Sequence, residues 1–514
     1  MPKVAKFFAL LLGTILFLLL LRWTGGLVFD ARQILSIGIF SMFIYGTLLF
    51  GEFRLAFAFG GIALLMTCNL LTVERFTQSA SLDVLVFLIG TFLVIGYLEE
   101  SRFFEHVVSA IVGFVGPRPQ MLLLTLMVLA SLASALVGEV TAILFMAGAM
   151  LHLTTKYKLN PVPFVIMLVF ACNNGSAMSS VGNPIGVLIA LKTGLSFTDF
   201  LADAAPIAIV VDVVVFGICR WWFADAFREF SEAVHEEFAA KAVARSVVAA
   251  VAQNGGSLPE GEGEAAPPGN PLSDSYYGPA MGLTAADEAR RAFRTSWIIL
   301  CSLILLLVTH KQVEELLNLR EGTMMVAAAL IMGSVVLFLQ REKAREMVER
   351  RVDWWTLSFF MMLFASVGTL QDTHVTQVVA NRLSTVGGSQ NVVIQVIGWA
   401  TGWLSAFLDN VLAVATFMPV VHDIRVKAGV PYSRAIYWFM LFGGTFMGNM
   451  TIIGSTANIV ACGLLERRGH GTVKFGYWMK IGFIVSIASM IVATLLLRVE
   501  SHWLAKMPPP APGT

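Results

Sequence analysis

Charged residues are scarce in this chain of 514 residues: Asp, Glu, Lys and Arg make up 13%, whereas 57% of residues are hydrophobic. The mean hydropathy is +0.77, so the chain has too little polar surface to form a soluble globule of this size. An excess of one charge sign is also missing, because the formal net charge is +1. We therefore expect a protein that lies in a lipid bilayer and does not bind nucleic acid.

Cysteine is sparse as well, with five residues in the chain. Each stands singly in an apolar run, without the paired spacing of a zinc site or of a disulfide framework. We interpret them as small packing residues, because free cysteine is usually buried. Two of them, Cys172 and Cys462, flank polar breaks, where a thiophilic solute could use them as ligands.

Signatures of catalysis and of nucleotide binding are missing from the sequence. It contains no HExxH zinc motif, no GxSxG nucleophile motif and no Walker motif. We therefore expect a protein that is not an enzyme and that has no catalytic residue, no resident metal and no organic cofactor. We do not expect this chain to use ATP directly. A separate ATPase or regulatory partner is compatible with the sequence.

The sequence is rich in apolar runs of about 17 to 25 residues, the length that spans a bilayer as a helix. The first run follows Lys3 and Lys6 and has no small-residue cleavage site after it, so we predict a retained helix within residues 1–32. The other runs form two sets. They lie at 33–51, 55–72, 82–98, 163–191 and 200–222, and at 293–309, 323–339, 353–370, 435–464 and 475–498.

Two further apolar stretches, 119–154 and 391–421, are too long for one helix, and each is interrupted by a polar pair. The interruptions are Gly138-Glu139 and Asp409-Asn410. This pattern predicts two re-entrant hairpins, which enter the membrane and return on the same side.

Residues 224–292 separate the two sets and differ from them in composition. The segment is rich in Ala, Glu, Gly and Pro and includes GGSLPEGEGEAAPPGNPLSDS, which is typical of a polar linker that begins with a surface helix. We therefore divide the membrane part into repeat 1 at 33–223 and repeat 2 at 293–499, followed by a tail at 500–514.

Short sequence matches relate the two repeats at one nearly constant spacing, which chance matching of apolar words does not produce. The matches are Gly96-Tyr97-Leu98 with Gly368-Thr369-Leu370 at 272, Ser134-Ala135 with Ser405-Ala406 at 271, and Gly182 with Gly454 at 272.

The basic residues of the loops predict the orientation of the repeats. The segment 340–352 contains five Lys or Arg residues, whereas its counterpart at 73–81 contains only Arg75. Because Lys and Arg mark cytoplasmic loops, equivalent loops lie on opposite sides, and the repeats are inverted. We expect a multi-pass protein of the cell (inner) membrane, with the N-terminus and the 224–292 linker cytoplasmic and the C-terminal tail external. The basic loop at 422–434 disagrees with this count.

Glu139 and Asp409 are the principal candidates for ion coupling. An ionised carboxylate inside an apolar segment costs about 2.5 to 3.5 kcal/mol on insertion, so an unpartnered one is not expected there. Each therefore binds a proton or a cation, or else caps a broken helix as a structural group. We interpret two other acids, Asp203 and Asp212, as helix-end charges or members of structural pairs.

Clusters of glycine, amide and hydroxyl residues interrupt one later apolar segment in each repeat. Such breaks expose backbone groups and create helix N-termini that attract anions or polarised oxygens. The alternative is that the small residues only allow close packing of helices. Together with Glu139, Asp409 and Asn410, the candidate solute- and ion-binding residues are Asn173, Asn174, Ser176, Gly182 and Asn183 in repeat 1 and Asn449, Thr451, Gly454, Ser455, Thr456 and Asn458 in repeat 2.

Four segments resemble signatures of the ion transporter superfamily. This group includes arsenite permeases, sodium/proton antiporters, silicon efflux transporters and the pink-eyed dilution protein. The segments cover both repeats and are VDWWTLSFFMMLFASVGTL, SAFLDNVLAVATFMPVV, GTFMGNMTIIGSTANIVACGLLERRGHG and SSVGNPIGVLIALKTGLSFTDFL.

The resemblance implies an all-α polytopic membrane protein with two inverted-topology repeats, each with a re-entrant hairpin and a broken helix. It also implies a homodimer that moves its solute by an elevator-type shift, with sodium near Asp409, Asn410 and Asn458. The sequence departs from the family pattern at Gly138-Glu139, where Asp-Asn is common, and at Gly186, where Asn is common. We therefore expect Asp409 to matter more than Glu139.

These observations favour a secondary transporter of a small inorganic solute such as arsenite, silicate or another oxyanion, coupled to protons or sodium. A sodium/proton antiporter of the same fold is the alternative. A passive channel or an intramembrane enzyme is a third possibility of a different class.

Overall fold

The computed structural model describes residues 3–24, 29–115, 118–236, 283–387, 390–427 and 434–504. Within these ranges the regular elements are helices, and none is a strand, which confirms the predicted all-α fold. Most of the predicted linker, at 237–282, and most of the C-terminal tail lie outside the described residues. The described start of the linker, at 224–236, is helical.

Twelve α-helices are described before the linker gap, counting a helix with an internal π-turn as one. They are α1 (Lys3–Thr24), α2 (Ala31–Leu49), α3 (Arg54–Thr67), α4 (Val73–Ser79), α5 (Leu82–Glu100), α6 (Phe103–Val115), α7 (Pro119–Val137), α8 (Glu139–Lys156), α9 (Val162–Gly175), α10 (Pro184–Thr193), α11 (Phe197–Trp222, with a π-turn at Phe200–Ala204) and α12 (224–236).

Ten described helices follow the gap. They are α13 (Leu283–Leu317), α14 (Thr323–Gln340), α15 (Ala344–Arg351), α16 (Trp354–Asp372), α17 (Val375–Gly387), α18 (Gln390–Phe407), α19 (Asn410–Lys427), α20 (Arg434–Phe446), α21 (Thr456–Arg467) and α22 (Phe475–Leu504). Helix α13 begins ten residues before the apolar run at 293–309 that predicts it.

Eight of the described helices are long and apolar enough to cross a membrane. They include the predicted N-terminal helix α1, which has few buried residues, and the last helix α22. The predicted polytopic membrane protein is confirmed.

The helix bounds repeat with the spacing found in the sequence. Both ends of α16 lie 272 positions after those of α5, and both ends of α19 lie 271 positions after those of α8. The packing is reciprocal too, because α5 packs against α14, and its counterpart α16 packs against α3, the counterpart of α14. The inverted orientation of the two repeats in the membrane stays a prediction.

Each predicted hairpin consists of two helices that meet at the polar pair. Helices α7 and α8 join at Gly138, whose φ of 91° lies in the left-handed region that favours glycine. Helices α18 and α19 join at Leu408 and Asp409. Their re-entrant course stays a prediction, because α7 is itself long enough to span a bilayer.

Both predicted helix breaks are present and central. Helix α9 ends at Gly175, a 3-10 turn follows at Ser176–Met178, and α10 begins at Pro184. Repeat 2 has the same order, with a 3-10 turn at Met447–Met450 before α21. Nearly all residues of α9 and α20 are buried, so these two helices form the centre of the bundle and hold the breaks inside it.

Candidate functional site

The tips of the two hairpins meet in the interior of the protein. Asn410 Nδ2, at the start of α19, donates to Glu139 Oε1, at the start of α8, at 3.0 Å. Glu139 is 5% exposed and Asn410 is 2% exposed. The sequence indicated a polar tip in each hairpin, and the structure brings the two tips into contact.

Hydroxyl groups attach each tip to the broken helix of its own repeat. Ser134 Oγ donates to Cys172 O, and its counterpart Ser405 Oγ donates to Gly444 O, both at 2.6 Å. Thr451, a predicted site residue, donates from Oγ1 to the backbone oxygen of Ala406. Its position is therefore structural, since it joins the second break to the second hairpin.

In each break, an asparagine side chain forms hydrogen bonds with residues at the opposite end of the break, but the asparagine stands at a different position in the two repeats. In repeat 2, Asn458 Nδ2 donates to Gly448 O and Thr451 O, both at 2.8 Å. In repeat 1, where Gly186 stands in place of the second asparagine, Asn183 Nδ2 donates to Ser176 O at 3.1 Å and to Ser176 Oγ at 2.8 Å. The amide missing at Gly186 is thus supplied three residues earlier in the chain.

The two predicted glycines allow each break to fold back on itself. A Cβ at Gly182 would lie 2.4 Å from Ser176 O, and a Cβ at Gly454 would lie 2.6 Å from Gly448 O. Because both neighbours are backbone atoms, neither can move aside cheaply. These glycines shape the site and contribute no side chain to it.

The two breaks meet through buried amides and one hydroxyl. Asn173 Nδ2 donates to Asn449 Oδ1 at 2.7 Å and to Asn458 Oδ1 at 2.8 Å. Ser455 Oγ lies 3.0 Å from Asn173 Oδ1 and 3.2 Å from Glu139 Oε1, so it connects the amides to the first hairpin. Predicted residues of both repeats therefore form one polar cluster, which contains Glu139, Asn173, Asn410, Asn449, Ser455 and Asn458.

Asp212 belongs to this cluster, although the sequence pattern indicated a helix-end or structural charge. It lies within α11 and is 9% exposed. Asn174 Nδ2 donates to its Oδ1 at 3.0 Å, and Ser131 Oγ donates to its Oδ2. Asn449 Nδ2 in turn donates to Asn174 Oδ1 at 3.0 Å. The signal that could have identified it is the one used for Glu139, a carboxylate inside an apolar run.

The two hairpin carboxylates differ in their partners. Asp409 is half-buried; its Oδ1 accepts from Val411 N at 3.0 Å, and its Oδ2 accepts from Thr456 Oγ1 at 3.3 Å. It therefore caps the first turn of α19. Glu139 Oε2, in contrast, is buried and has no hydrogen-bond partner among the described residues.

Side chains of the predicted sodium ligands have separate partners: Asp409 binds the start of α19, Asn410 binds Glu139, and Asn458 closes the second break. The described residues contain no group of three or more His, Cys, Asp or Glu side chains that could hold a metal ion. Sodium in this cluster would instead use amide, hydroxyl and backbone oxygens with one carboxylate.

Four helices begin at the cluster. They are α8 at Glu139, α10 at Pro184, α19 at Asn410 and α21 at Thr456. Each helix N-terminus has a partial positive charge, which suits an anion. Several of the first N–H groups already have acceptors, such as Asn183 Oδ1 for Gly186 N and Asp409 Oδ1 for Val411 N. Glu139 and Asp212 take part in no ion pair within the described ranges, so the cluster combines positive helix ends with unneutralised acids.

A cavity of about 350 Å³ begins within two helical turns of the cluster. It is lined by Leu188 of α10 and Ala415 of α19, two helices that start at the cluster. Its lining also includes polar side chains, among them Gln78, Ser81, Lys192, Gln371, His422 and Tyr437, and apolar ones, among them Phe364, Val367 and Met418.

A sequence model of the family described as "Citrate transporter" (CitMHS) matches residues 45–444 and residues 369–508. The chain is 27% identical over 449 residues to a 46 kDa membrane protein of Mycobacterium leprae, which covers 86% of this chain and 92% of that protein. An uncharacterized transporter of Mycobacterium tuberculosis is 26% identical over 418 residues, or 81% and 85% of the two chains. The P protein of Homo sapiens is 24% identical over 449 residues, or 81% of this chain and 53% of that protein.

Proposed function

The chain belongs to the citrate transporter (CitMHS) family, and we propose that it is a secondary active transporter that moves a small oxygen-rich anion together with protons or sodium ions. The resemblance to the ion transporter superfamily is confirmed by this membership and by the match to the P protein. The relatives that are named transporters support a role other than catalysis.

The proposal rests on the contact between Glu139 and Asn410. This hydrogen bond joins the tips of the two hairpins, and four helices of the two repeats begin close to the buried acid Glu139. Helix N-termini stabilise an anionic solute, and an acid without a basic partner must take up a proton or a cation when it is shielded from water. A site of this composition favours an anion and a coupling cation in the same cycle.

The cavity beside the cluster is the route that we propose for the solute. It is lined by residues of α10 and α19, which start at the cluster, and its one lysine, Lys192, is paired with Asp83 at 3.3 Å. The solutes to test are citrate, which the family description names, and the inorganic candidates that the sequence resemblance implies, arsenite and silicate.

A sodium/proton antiporter of the same fold is the second candidate. It is favoured by Glu139 and Asp212, two buried carboxylates that have no basic partner in the described part of the chain. In that case the carboxylates bind the transported cation itself, and the helix N-termini only stabilise the acids.

We further propose that solute movement separates two groups of helices. The first comprises α2 to α5 and α13 to α16; the second comprises the hairpins, the broken helices, α11 and α22. The cavity lies between the groups, and ion pairs join them at Lys192 Nζ with Asp83 Oδ2 and at Lys311 Nζ with Asp199 Oδ2, both 3.3 Å long. Sliding of one group past the other is the elevator-type movement, within a homodimer in the cell membrane.

The proposal can be tested with purified protein in liposomes. Influx of labelled citrate, arsenite and silicate is measured under an imposed pH or sodium gradient, and internal pH is followed with a dye when no solute is present. Solute accumulation that collapses with the cation gradient supports the transporter. Sodium-driven pH change without any solute flux supports the antiporter, and flux that no gradient affects would contradict both.

The proposed orientation requires a separate test. Single cysteines are introduced into the 237–282 segment and into the 505–514 tail of a variant whose five native cysteines are replaced by alanine, and they are labelled in intact cells with a reagent that does not cross membranes. We expect labelling of the tail and not of the segment, and the opposite pattern would overturn the orientation.

A further inference from the structure

A cavity of about 440 Å³ lies away from the polar cluster, where α7 begins, α11 ends and α12 begins. Helices α7 and α11 pack against each other, and they run antiparallel, because the start of one and the end of the other line this cavity. Helix α12 packs onto α11 through the rings of Phe227 and Phe216. We refer to it as the arginine cavity, and its lining includes Gln120, Gly217, Arg220, Trp221, Arg228 and Ser231.

The arginine cavity lies at the depth expected for lipid headgroups. Arg220 follows Asp212 of the polar cluster by eight residues within α11, which is about 12 Å at 1.5 Å per residue. Helix breaks such as those of the cluster lie near the middle of the membrane, and half of the hydrocarbon core measures about 15 Å. Trp221 is 69% exposed, and tryptophan is enriched at the boundary between hydrocarbon and headgroups. Both observations place this cavity at that boundary.

An exposed apolar stripe of α11 leads to the cavity. Ile209 and Val213 are 53% and 64% exposed, and the exposed Gly217 follows at the same spacing of four residues, so the three lie on one face of the helix. On α7, Val128 and Leu132 are exposed as well. Exposed apolar side chains along two adjacent helices of spanning length form a surface for lipid. The arginine cavity is therefore the polar end of a lipid-facing surface.

Gly217 leaves open space at the point where the stripe meets the cavity. A Cβ placed at this residue would meet no heavy atom within 4 Å. The glycine is thus not required by close packing of helices. Its missing side chain leaves a groove in the stripe between Val213 and Arg220, and this groove has room for an acyl chain against the backbone of α11.

The arginine cavity has an excess of positive charge. Arg220 is exposed and takes part in no ion pair within the described ranges, and none of the described lining residues is acidic. Arg228 Nη2 pairs with Asp225 Oδ1 at 3.1 Å, and both side chains are more than two-thirds exposed. Exposed pairs of this kind are weak, so Arg228 keeps donors for another anion. Two guanidinium groups thus stand against one nearby carboxylate.

A second basic cavity, beside α15, differs in this respect. It is lined by three basic side chains, and each of them has its own acidic partner at 3.0 to 3.3 Å. The pairs are Lys343 with Glu100, Arg350 with Glu346 and Arg351 with Glu99. This second cavity therefore provides a matched control for the arginine cavity.

We propose that the arginine cavity binds the headgroup phosphate of an anionic phospholipid, and that an acyl chain of the same lipid lies along α11 in the groove at Gly217. Arg220 and Arg228 donate charge-assisted hydrogen bonds to the phosphate oxygens. Gln120 and Ser231 supply neutral donors beside them. Basic pockets between spanning helices are suited to such headgroups. The lipid lies in the leaflet on the side of the linker, since α12 starts that linker.

The test uses the full-length protein in detergent. It is titrated with dioleoylphosphatidylglycerol, which is anionic, and with dioleoylphosphatidylcholine, which is not, and the Kd of the most tightly bound lipid is measured by native mass spectrometry. Arg220→Gln removes the unpaired charge, and Gly217→Leu fills the groove without changing charge. Arg350→Gln is the control, because it removes an exposed, paired arginine from the second cavity.

We expect wild type to bind the anionic lipid more tightly than the zwitterionic one. Arg220→Gln should raise the Kd for the anionic lipid about fivefold, as loss of one basic residue at a membrane surface does, and Arg220→Gln/Arg228→Gln should raise it further. Gly217→Leu should weaken both lipids. Arg350→Gln should match wild type. Thermal unfolding checks that each variant is folded, and Arg220 and Gly217 are exposed, so either variant serves if the other is unstable.

Three results would overturn the proposal. The first is equal affinity of wild type for the two lipids. The second is the same loss in Arg350→Gln as in Arg220→Gln, which would show an effect of overall charge. The third is displacement of the anionic lipid by glycerol phosphate, combined with unchanged lipid affinity in Gly217→Leu, which would show a site for a free anion. None of these results depends on the solute or on the coupling ion, so the proposed transport function is tested separately.

Discussion

Asn410 of the second hairpin donates to Glu139 of the first at 3.0 Å, and the two residues stand at equivalent positions, 271 apart. The same offset relates Ser134 to Ser405. One repeat therefore contributes an acid where the other contributes an amide. Two carboxylates in this place would repel each other when both are ionised, so the departure from symmetry allows one acid to be buried at the meeting point of the hairpins.

Glu139→Gln is expected to fold and to lose coupled transport. Glutamine can still accept from Asn410 and Ser455, but it cannot take up a proton or bind a cation as a carboxylate does. We expect gradient-driven accumulation to fall about tenfold or more, with an unfolding temperature within a few degrees of wild type. Accumulation at the wild-type level in the folded variant would show that the role of Glu139 is structural.

Asp409→Asn is expected to be the milder of the two changes, the reverse of the order expected from the sequence alone. Asp409 caps Val411 N and accepts from Thr456, and asparagine is as good a helix cap as aspartate. Asp409→Ala should lower the free energy of unfolding by about 1 kcal/mol. Flux and thermal unfolding of both variants, measured beside Glu139→Gln, decide the order. A larger flux loss in Asp409→Asn would favour direct ion binding at Asp409.

Gly182→Ala and Gly454→Ala should each disrupt a helix break. The added methyl would lie 2.4 Å from Ser176 O or 2.6 Å from Gly448 O. We expect a loss of stability of more than about 2 kcal/mol, because the backbone must move. Gly148→Ala in α8 is the control: its Cβ would meet nothing within 4 Å, and alanine is favoured over glycine in a helix by about 1 kcal/mol. Equal stability of all three variants would contradict this account.

Much of the architecture could be predicted from the sequence. Matching words at offsets of 271 and 272 agree with helix bounds that recur at the same spacing, and helices end and begin at the polar pairs Gly138-Glu139 and Asp409-Asn410. These features are local, because a helix ends where glycine or a polar capping residue interrupts an apolar run. The boundary of α13 was missed, since it continues ten residues before the apolar run into polar sequence.

The partners within the site could not be predicted in the same way. Repeat offsets relate positions in the two halves, but they do not show which side chains meet, and Asn173 meets Asn449 although the two are 276 apart. The contact of Asp212 with Asn174 lies after the π-turn at Phe200–Ala204, and an extra residue in a helical turn changes which face the following residues occupy. A prediction that assumes a regular α-helix through this segment therefore assigns the residues after the π-turn to the wrong face of the helix.

The ion pair between Lys192 of α10 and Asp83 of α5 should affect the rate of transport more than stability. It joins the two helix groups across the cavity at 3.3 Å, and both side chains are more than a third exposed. Exposed pairs contribute about 0.2 to 1 kcal/mol, so Lys192→Gln should leave the unfolding temperature nearly unchanged. If sliding of the groups limits transport, loss of the pair should raise maximal flux up to about fivefold, as 1 kcal/mol implies.

A charge-reversed double variant, Lys192→Asp/Asp83→Lys, distinguishes the effect of the ion pair from the effects of the two individual residues. It should restore wild-type flux, and high ionic strength should reduce the difference between wild type and Lys192→Gln, because salt screens exposed charges. The matched control is Arg345→Gln, which breaks the exposed pair between Arg345 and Glu349 within α15. That pair lies within one helix and joins no groups, so its loss should leave flux unchanged. If Lys192→Gln and Arg345→Gln have the same flux, then the Lys192 pair does not limit the movement, and the separation of the two helix groups must be sought elsewhere.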